Sequence, residues 1–463
     1  MDDTALTSRD TPARAEPRTF AGRVGELLRL AGPVIVSRSG QLVMGVVNAI
    51  LVGQYAADHL AFLGIALTIT MPLFVGASGF LLGTLVETAR HYGAGRPAEC
   101  GATWRRGIIY SLIIGMVCLA VALMGEAILA FSGQNPEISH ESGRVVRVLA
   151  LGLPFMVIYI SSAYFLEALK RPTIPMVMML IANVVNFLLN WVLIYGHFGF
   201  PEMGALGSAW ASTILRMLLA AAIVLYIWNL PDRENLGIRR KAHGGWASWV
   251  QQRRIGYSAG ASQLIESMAF ALLTLIAGRI GTLAVGGYFL AFQMLGMVFM
   301  VGLGLGSATA VLVGHAHGRK DPTGIARAGW LGLGINVVIV SCIGGAIHFA
   351  APSITPLFAA DPALIAVAAP LIAYMGVVVV FDTCQAVMAL TLRGFGDTWV
   401  PVATHMISYF AVLAPGAWYF ALHTPRGVAG ILDAILIASI VSATFLIGRF
   451  HLLSRRGIRE QHP

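Results

Sequence analysis

Twelve apolar runs recur along the chain, each about the 17–25 residues that a bilayer-spanning helix needs once tilt and interfacial ends are allowed for. They are Leu27–Val52, Leu60–Leu85, Ile108–Phe131, Val146–Leu166, Ile174–Tyr195 and Gly207–Trp228, then Ile255–Ala277, Val285–Leu312, Ala328–Phe349, Leu364–Leu390, Trp399–Phe420 and Val428–Ile447. A chain with so many of these runs has little choice but to be an all-α, polytopic membrane protein. Composition agrees: 57% of the residues are hydrophobic and 11% charged, against about 25% charged in soluble domains.

A net charge of +9 can signal nucleic acid, but here the basic residues sit in the short loops between apolar runs. About 25 of the 31 Lys and Arg residues fall on one side if both termini are inside, as the positive-inside rule requires of cytoplasmic loops. Arg393 counts among these loop residues, and Arg38 and Arg216 are the two cations placed within spans. The first 26 residues read as a cytoplasmic tail without the short apolar core of a signal peptide. The stretch 229–254 reads as a cytoplasmic linker whose Gly244–Val250 segment lies on the membrane surface, with Trp246 and Trp249 as anchors. It separates an N-lobe (27–228) from a C-lobe (255–449), and 450–463 forms a cytoplasmic tail.

The lobes are repeats. At an offset of 225, LVGQYAADHLAFLGIAL falls on IAGRIGTLAVGGYFLAF, Gly79 on Gly304 and Gly93 on Gly318; at 226, Pro175 falls on Pro401. Six helices per half give both halves one orientation. They form two bundles related by a pseudo-two-fold along the membrane normal, an arrangement suited to alternating access.

In this register Gln41 falls on Glu266. If its helix starts near Ile255, Glu266 lies about 16 Å along it, near the middle of a ~30 Å hydrocarbon core. An acid at that depth costs at least about 2.5 kcal/mol, so it is expected to face a cavity and to have a role. Asp382 lies similarly deep on the tenth run, with Gln385 on the same helix face. The two acids either share a proton or a cation such as Na⁺, or are structural acids satisfied by Ser, Gln or Arg. The N-half offers amides instead: Gln41 and Asn48 on the first run, and Asn183, Asn186 and Asn190 on the fifth. Amides of this kind serve as packing glue between helices or as contacts for substrate or ion. Arg38 reads as snorkelling, and Glu167 as a surface ion pair with Lys170 and Arg171.

Motifs for soluble chemistry are missing. Gly302, Gly304 and Gly306 lie within a span, where small residues permit close packing. His315 and His317 have poor spacing for zinc, and no Walker motif appears. The four cysteines show no pairing pattern and read as free thiols. No cofactor or nucleic-acid partner is expected.

Several stretches together carry a resemblance. MGVVNAILVG, the GAGRP loop, NFLLNWVLIYGHFGFPEMGALGSAWA, IESMAFALLTLIAGRIGTLAVGG and FDTCQAVMALTLRGFGDTWVP make the chain resemble the multidrug and toxic compound extrusion (MATE) transporters, from about Leu27 to Arg449. The resemblance implies a V-shaped twelve-helix fold and export of amphipathic, mostly cationic organic compounds, driven by H⁺ or Na⁺. It also implies a monomer in the cell's inner membrane. Glu266 and Asp382 match ion-coupling acids of that family; Asn186 and Asn190 match polar positions of its N-terminal half. Asn48 stands where many bacterial members carry an aspartate, and an amide holds neither a titrating proton nor a negative charge. The alternatives are a lipid-linked sugar flippase of the same superfamily and a membrane-embedded enzyme.

The topology is open to a direct test. Cysteines introduced near Gly244 or Lys320 should be protected from an impermeant thiol reagent in intact cells, and one near His140 should label. Labelling at Lys320 from outside would overturn both the orientation and the helix count.

Overall fold

The computed structural model describes residues 19–131, 136–240, 249–358 and 361–461; most of the expected surface segment, including Trp246, lies outside them. Among the described residues, twelve helices are long and apolar enough to cross a membrane. In chain order they are α1 (Phe20–Tyr55), α2 (Ala57–Gly93), α3 (Pro97–Leu123), α4 (Pro136–Ala168), α5 (Thr173–Tyr195) and α6 (Ala205–Trp228). The second half follows with α7 (Val250–Ile280), α8 (Thr282–Gly318), α9 (Pro322–Leu357), α10 (Pro362–Phe395), α11 (Trp399–Leu422) and α12 (Val428–Ile458). Among the described residues no strand occurs, and the all-α class is as the apolar runs require.

Most helices outrun their apolar stretches. α1 starts at Phe20 and α7 at Val250, so polar residues read as tail or linker are helical. Local signals set these ends. Thr19 caps α1 by accepting from the Gly22 N–H at 3.2 Å, and Asp321 caps α9 by accepting from the Gly324 N–H at 2.8 Å. Pro97, Pro322 and Pro362 occupy the first turns of α3, α9 and α10, where the missing N–H costs nothing.

Among the described residues, the hydrogen bonds between the halves gather towards one end, where α2, α4, α8 and α10 finish and most of the basic residues lie. There α1 packs on α8, and α2 packs on α7 and α8. Lipid tails are as apolar as leucine, so such packing depends on close approach rather than on a hydrophobic drive. Gly93 and Gly318, equivalent in the repeat, show how close: a Cβ on Gly93 would stand 2.3 Å from the His315 carbonyl oxygen, and one on Gly318 2.2 Å from that of Arg90. The contacts reach as far as Ser78–Gln263 and Arg38–Ser307, at 3.1 and 3.4 Å. No hydrogen bond or ring contact found among the described residues joins the halves beyond that level.

The same end also holds two equivalent caps. Arg90, on α2, donates to the Arg393 and Gly394 carbonyls at the end of α10, at 3.4 and 3.3 Å. His315, 225 residues on, hydrogen-bonds the Ala168 carbonyl at the end of α4, at 2.8 Å. Ala168 and Arg393 are themselves 225 residues apart. Each half therefore terminates a helix of the other.

Three sequence expectations are corrected here. Glu167 is no surface ion pair; it is 7% exposed and accepts from the Ser307 hydroxyl at 2.8 Å, with Arg38 3.8 Å away. Lys170 pairs with Glu26 instead, and Arg171 with Asp232. Arg38 is held by this cross-half contact and lies over the Tyr164 ring, so it does not snorkel. Arg393 belongs to the last turn of α10, not to a loop, and is 4% exposed.

Adding a methyl group at Gly93 or Gly318 should wedge the closed end apart, at about 1–3 kcal/mol for overpacking. In Gly318→Ala, a cysteine replacing Ser307 should label faster with a thiol reagent supplied from the end that carries the termini. Unchanged labelling would show that the close approach does not hold this end shut.

Candidate functional site

Two buried polar clusters lie in the bundle, one in each half. In the C-half, α7 brings Glu266, partly buried, to just beyond the closed end, one turn past Gln263. Asp382, on α10, is 1% exposed and accepts from the Ser439 hydroxyl of α12 at 3.1 Å. The Gln385 amide donates to the Tyr409 oxygen at 3.2 Å and sits 3.5 Å from the same Asp382 oxygen. The Tyr409 ring lies 6.2 Å from that of Phe270, one turn along α7 from Glu266, and Glu266 is within electrostatic reach of Asp382 and Arg393. The acids and Gln385 expected to act together thus meet, and four helices contribute to the meeting.

In the N-half the amides converge on Asn48. Its side-chain oxygen accepts from Asn186 at 2.7 Å and from Asn190 at 3.0 Å, while its own amide donates to Ser212 at 3.0 Å. Asn186 and Asn190 are fully buried. Their side-chain oxygens and the Ser208 hydroxyl nevertheless have no hydrogen-bond partner, although buried polar atoms are rarely left so. Asn183 is separate: it donates to the Gly40 and Met179 carbonyls, at 3.1 and 2.9 Å. Gln41 is partly buried on α1, seven residues before Asn48.

The two clusters do not occupy equivalent places. By the repeat offset Asn48 falls on Leu273, a fully buried core residue, whereas Asp382 falls on the buried Val157. Seven residues separate Glu266 from Leu273, about 10 Å of helix. The N-half cluster is therefore the further of the two from the closed end.

Sequence reasoning missed Tyr409, Ser439, Arg393 and His405. His405 and Tyr409, four apart on α11, were visible as polar residues on one face of an apolar run. His405 is 4% exposed, and both of its ring nitrogens are without a partner. Ser439 gave no signal, since a lone serine in a span is ordinary. Among the described residues no cluster of His, Cys, Asp and Glu could hold a metal ion by itself, and the four cysteines are unpaired.

Comparison with known proteins places this geometry. The MatE family model matches twice, over residues 33–192 and 259–419, so the family's unit recurs at the offset the repeat shows. The chain is 38% identical over 432 residues to a protein named probable multidrug resistance protein NorM from Caulobacter vibrioides, covering 93% of this chain and 92% of that one. It is 27% identical over 454 residues to the multidrug resistance protein PmpM of Pseudomonas aeruginosa, covering 94% and 92%. Among solved structures, the outward-facing conformation of a multidrug resistance MATE family transporter superposes with a TM-score of 0.85 at 20% identity, covering 94% of this chain and 96% of that one. That likeness establishes the V-shaped twelve-helix fold. With both halves matched by the family model and close relatives aligned over nearly their whole length, the chain belongs to the MatE family of membrane transporters and is not an enzyme.

Proposed function

We propose that the protein is a cation-coupled antiporter that exports amphipathic, mostly cationic organic compounds by alternating access, with Glu266 and Asp382 receiving the coupling ion, H⁺ or Na⁺. The observation that carries this reading is the convergence of two deep carboxylates on one polar network just beyond the closed end. Two acids within electrostatic reach of each other repel when both are ionised, which is costly unless a cation or proton is shared between them. The names of the NorM and PmpM relatives support drugs as the substrate class.

The N-half cluster of Asn48, Asn186 and Asn190 serves in this reading as a contact for substrate or ion. Its unpartnered oxygens favour a guest that donates hydrogen bonds or carries positive charge. Gln41 and Gln385 complete the polar positions. The two lobes, 27–228 and 255–449, move against each other as a monomer in the inner membrane, with both termini cytoplasmic.

The flippase alternative loses ground. Recognition of a lipid pyrophosphate would call on Arg38 and Arg216, and both are engaged: Arg38 with Ser307 and Glu167, Arg216 with the Leu149 carbonyl at 3.3 Å.

Glu266→Gln and Asp382→Asn should each lower ion-driven export at least about tenfold, a loss of about 1.4 kcal/mol in the barrier, while the protein still reaches the membrane. The assay is drug-induced release of a preformed pH or sodium gradient across everted vesicles. Wild-type rates in either variant would remove the C-half from the mechanism.

Asn48→Ala should keep ion dependence and change at most drug affinity, because Asn48 offers hydrogen bonds and no charge. Asn48→Asp should move the pH optimum, since it adds a titrating group to the N-half. Loss of ion coupling in Asn48→Ala would show that the N-half takes part in coupling without a carboxylate.

A further inference from the structure

Helix α11 leaves α-geometry once. From Ile407 to Leu413 its hydrogen bonds step to the π spacing. A π turn takes in an extra residue, and α11 has 24 residues where the equivalent α5 has 23. Such turns are rare and concentrate at functional sites. Tyr409 lies inside this one and is 2% exposed.

With Pro175 set on Pro401, Tyr409 falls on Asn183. In the N-half that position is used for packing, since Asn183 donates to two backbone carbonyls. In the C-half it carries a phenol among acids. The Tyr409 oxygen accepts from Gln385 at 3.2 Å, which leaves its O–H free to donate, and its ring packs against Phe270, one turn along α7 from Glu266. Gln385 in turn lies 3.5 Å from Asp382, and Ser439 closes the far side at 3.1 Å. A hydrogen-bonded chain thus runs Tyr409, Gln385, Asp382, Ser439 across α11, α10 and α12, and it lies against α7 where the Tyr409 and Phe270 ring centres stand 6.2 Å apart, one turn from Glu266.

We propose that Tyr409, held by the π turn and by Gln385, is a positioning residue of the ion site: it fixes the orientation of Glu266 relative to Asp382 so that the two carboxylates receive the coupling ion as one unit. This rests on the reading of Glu266 and Asp382 as the coupling acids. The other charged or titratable groups around it are Arg393 of α10, which donates to Ser262 of α7 at 2.7 Å, and His405 of α11, whose ring centre is 5.6 Å from that of Tyr409. Helix α12 contributes the neutral Ser439.

The test uses the purified full-length protein in proteoliposomes, with ethidium as the exported probe and with proton and sodium gradients varied separately. The half-saturating concentration is measured for the ion and for ethidium. Tyr409→Phe keeps the ring and its packing and should shift the ion value about tenfold, while the ethidium value stays within about twofold. If the ion is a proton, the shift is towards lower proton concentration, because the carboxylate loses a donor that favours its charged form. If it is sodium, the shift is towards higher concentration, because the ligand oxygens lose their fixed orientation. Gln385→Met, close in volume, should move the ion value as well, whereas Asn183→Ala, at the equivalent place in the other half, should not. An ion value in Tyr409→Phe equal to wild type, or an ethidium value that moves as much as the ion value, would overturn the proposal. Glu266→Gln separates the two levels. If it stays coupled, the parent reading fails; if it is uncoupled and Tyr409→Phe is unshifted, the role of Tyr409 alone is wrong.

Discussion

Helix α10 ends against the Arg90 guanidinium and helix α4 against the His315 imidazole, and in each case the donor comes from the opposite half. The last carbonyls of a helix have no partner within it, and in a membrane an unsatisfied carbonyl is expensive. Parting the halves at this end therefore uncaps two helices as well as separating two glycine-lined surfaces. The caps lie at helix ends, however, where water can replace the lost donors at modest cost. That combination suits a gate: closed, both helix ends are capped; opened, they are resolvated. The contact between Ser307 and Glu167 is different in kind, because it lies deeper, and separating the halves there leaves a carboxylate to find water or Arg38.

Everything beyond the gate follows from where it stops. Among the described residues, Arg38 and Gln263 are the last bonded across the halves, and Gln41 and Glu266 come one helical turn later. A turn is about 5.4 Å, so the first polar positions after the seal are the pair in which the two halves differ. An amide on one side and a carboxylate on the other make that level asymmetric in a frame that is otherwise duplicated. The asymmetry then grows. The C-half builds an acid network around the Glu266 level, with Asp382 where the N-half has Val157. The N-half builds an amide network around Asn48, where the C-half has Leu273.

The fold was legible in the sequence because bilayer thickness dictates run length and the glycine register survives duplication: Gly93 and Gly318 still perform one task. The acids were legible for a similar reason, since an unpaired carboxylate in an apolar run stands out. Glu167 and Arg393 misled because both lie next to basic loops, and only the packing of α8 and α7 against them shows that they are buried. Tyr409 shares a face with His405 and was open to reading from that spacing; the π turn that seats it was not, because an α-helical period cannot represent it. The orphaned oxygens of Asn186 and Asn190 were equally invisible, since a sequence shows which groups can bond but not which are left unbonded.

The placement of charge bears on energetics. Exchange of one proton for one monovalent cation moves no net charge, so only the ion's concentration gradient would drive it. Moving one extra charge per substrate adds about 2.3 kcal/mol per 100 mV, more than the roughly 1.4 kcal/mol of a tenfold gradient. A site built from two carboxylates has the capacity to take up two cations, and an N-half cluster of amides has no charge with which to cancel them. On the proposed function, the electrical side of the cycle rests on the C-half: whether membrane potential contributes depends on whether Glu266 and Asp382 share one ion or take up two. Tyr409, Gln385 and Ser439 tie Asp382 into one hydrogen-bonded network beside α7, within electrostatic reach of Glu266. On the proposed function, that proximity favours one ion shared by the pair over two, and with it a cycle in which exchange for a monovalent substrate draws on the ion's gradient alone.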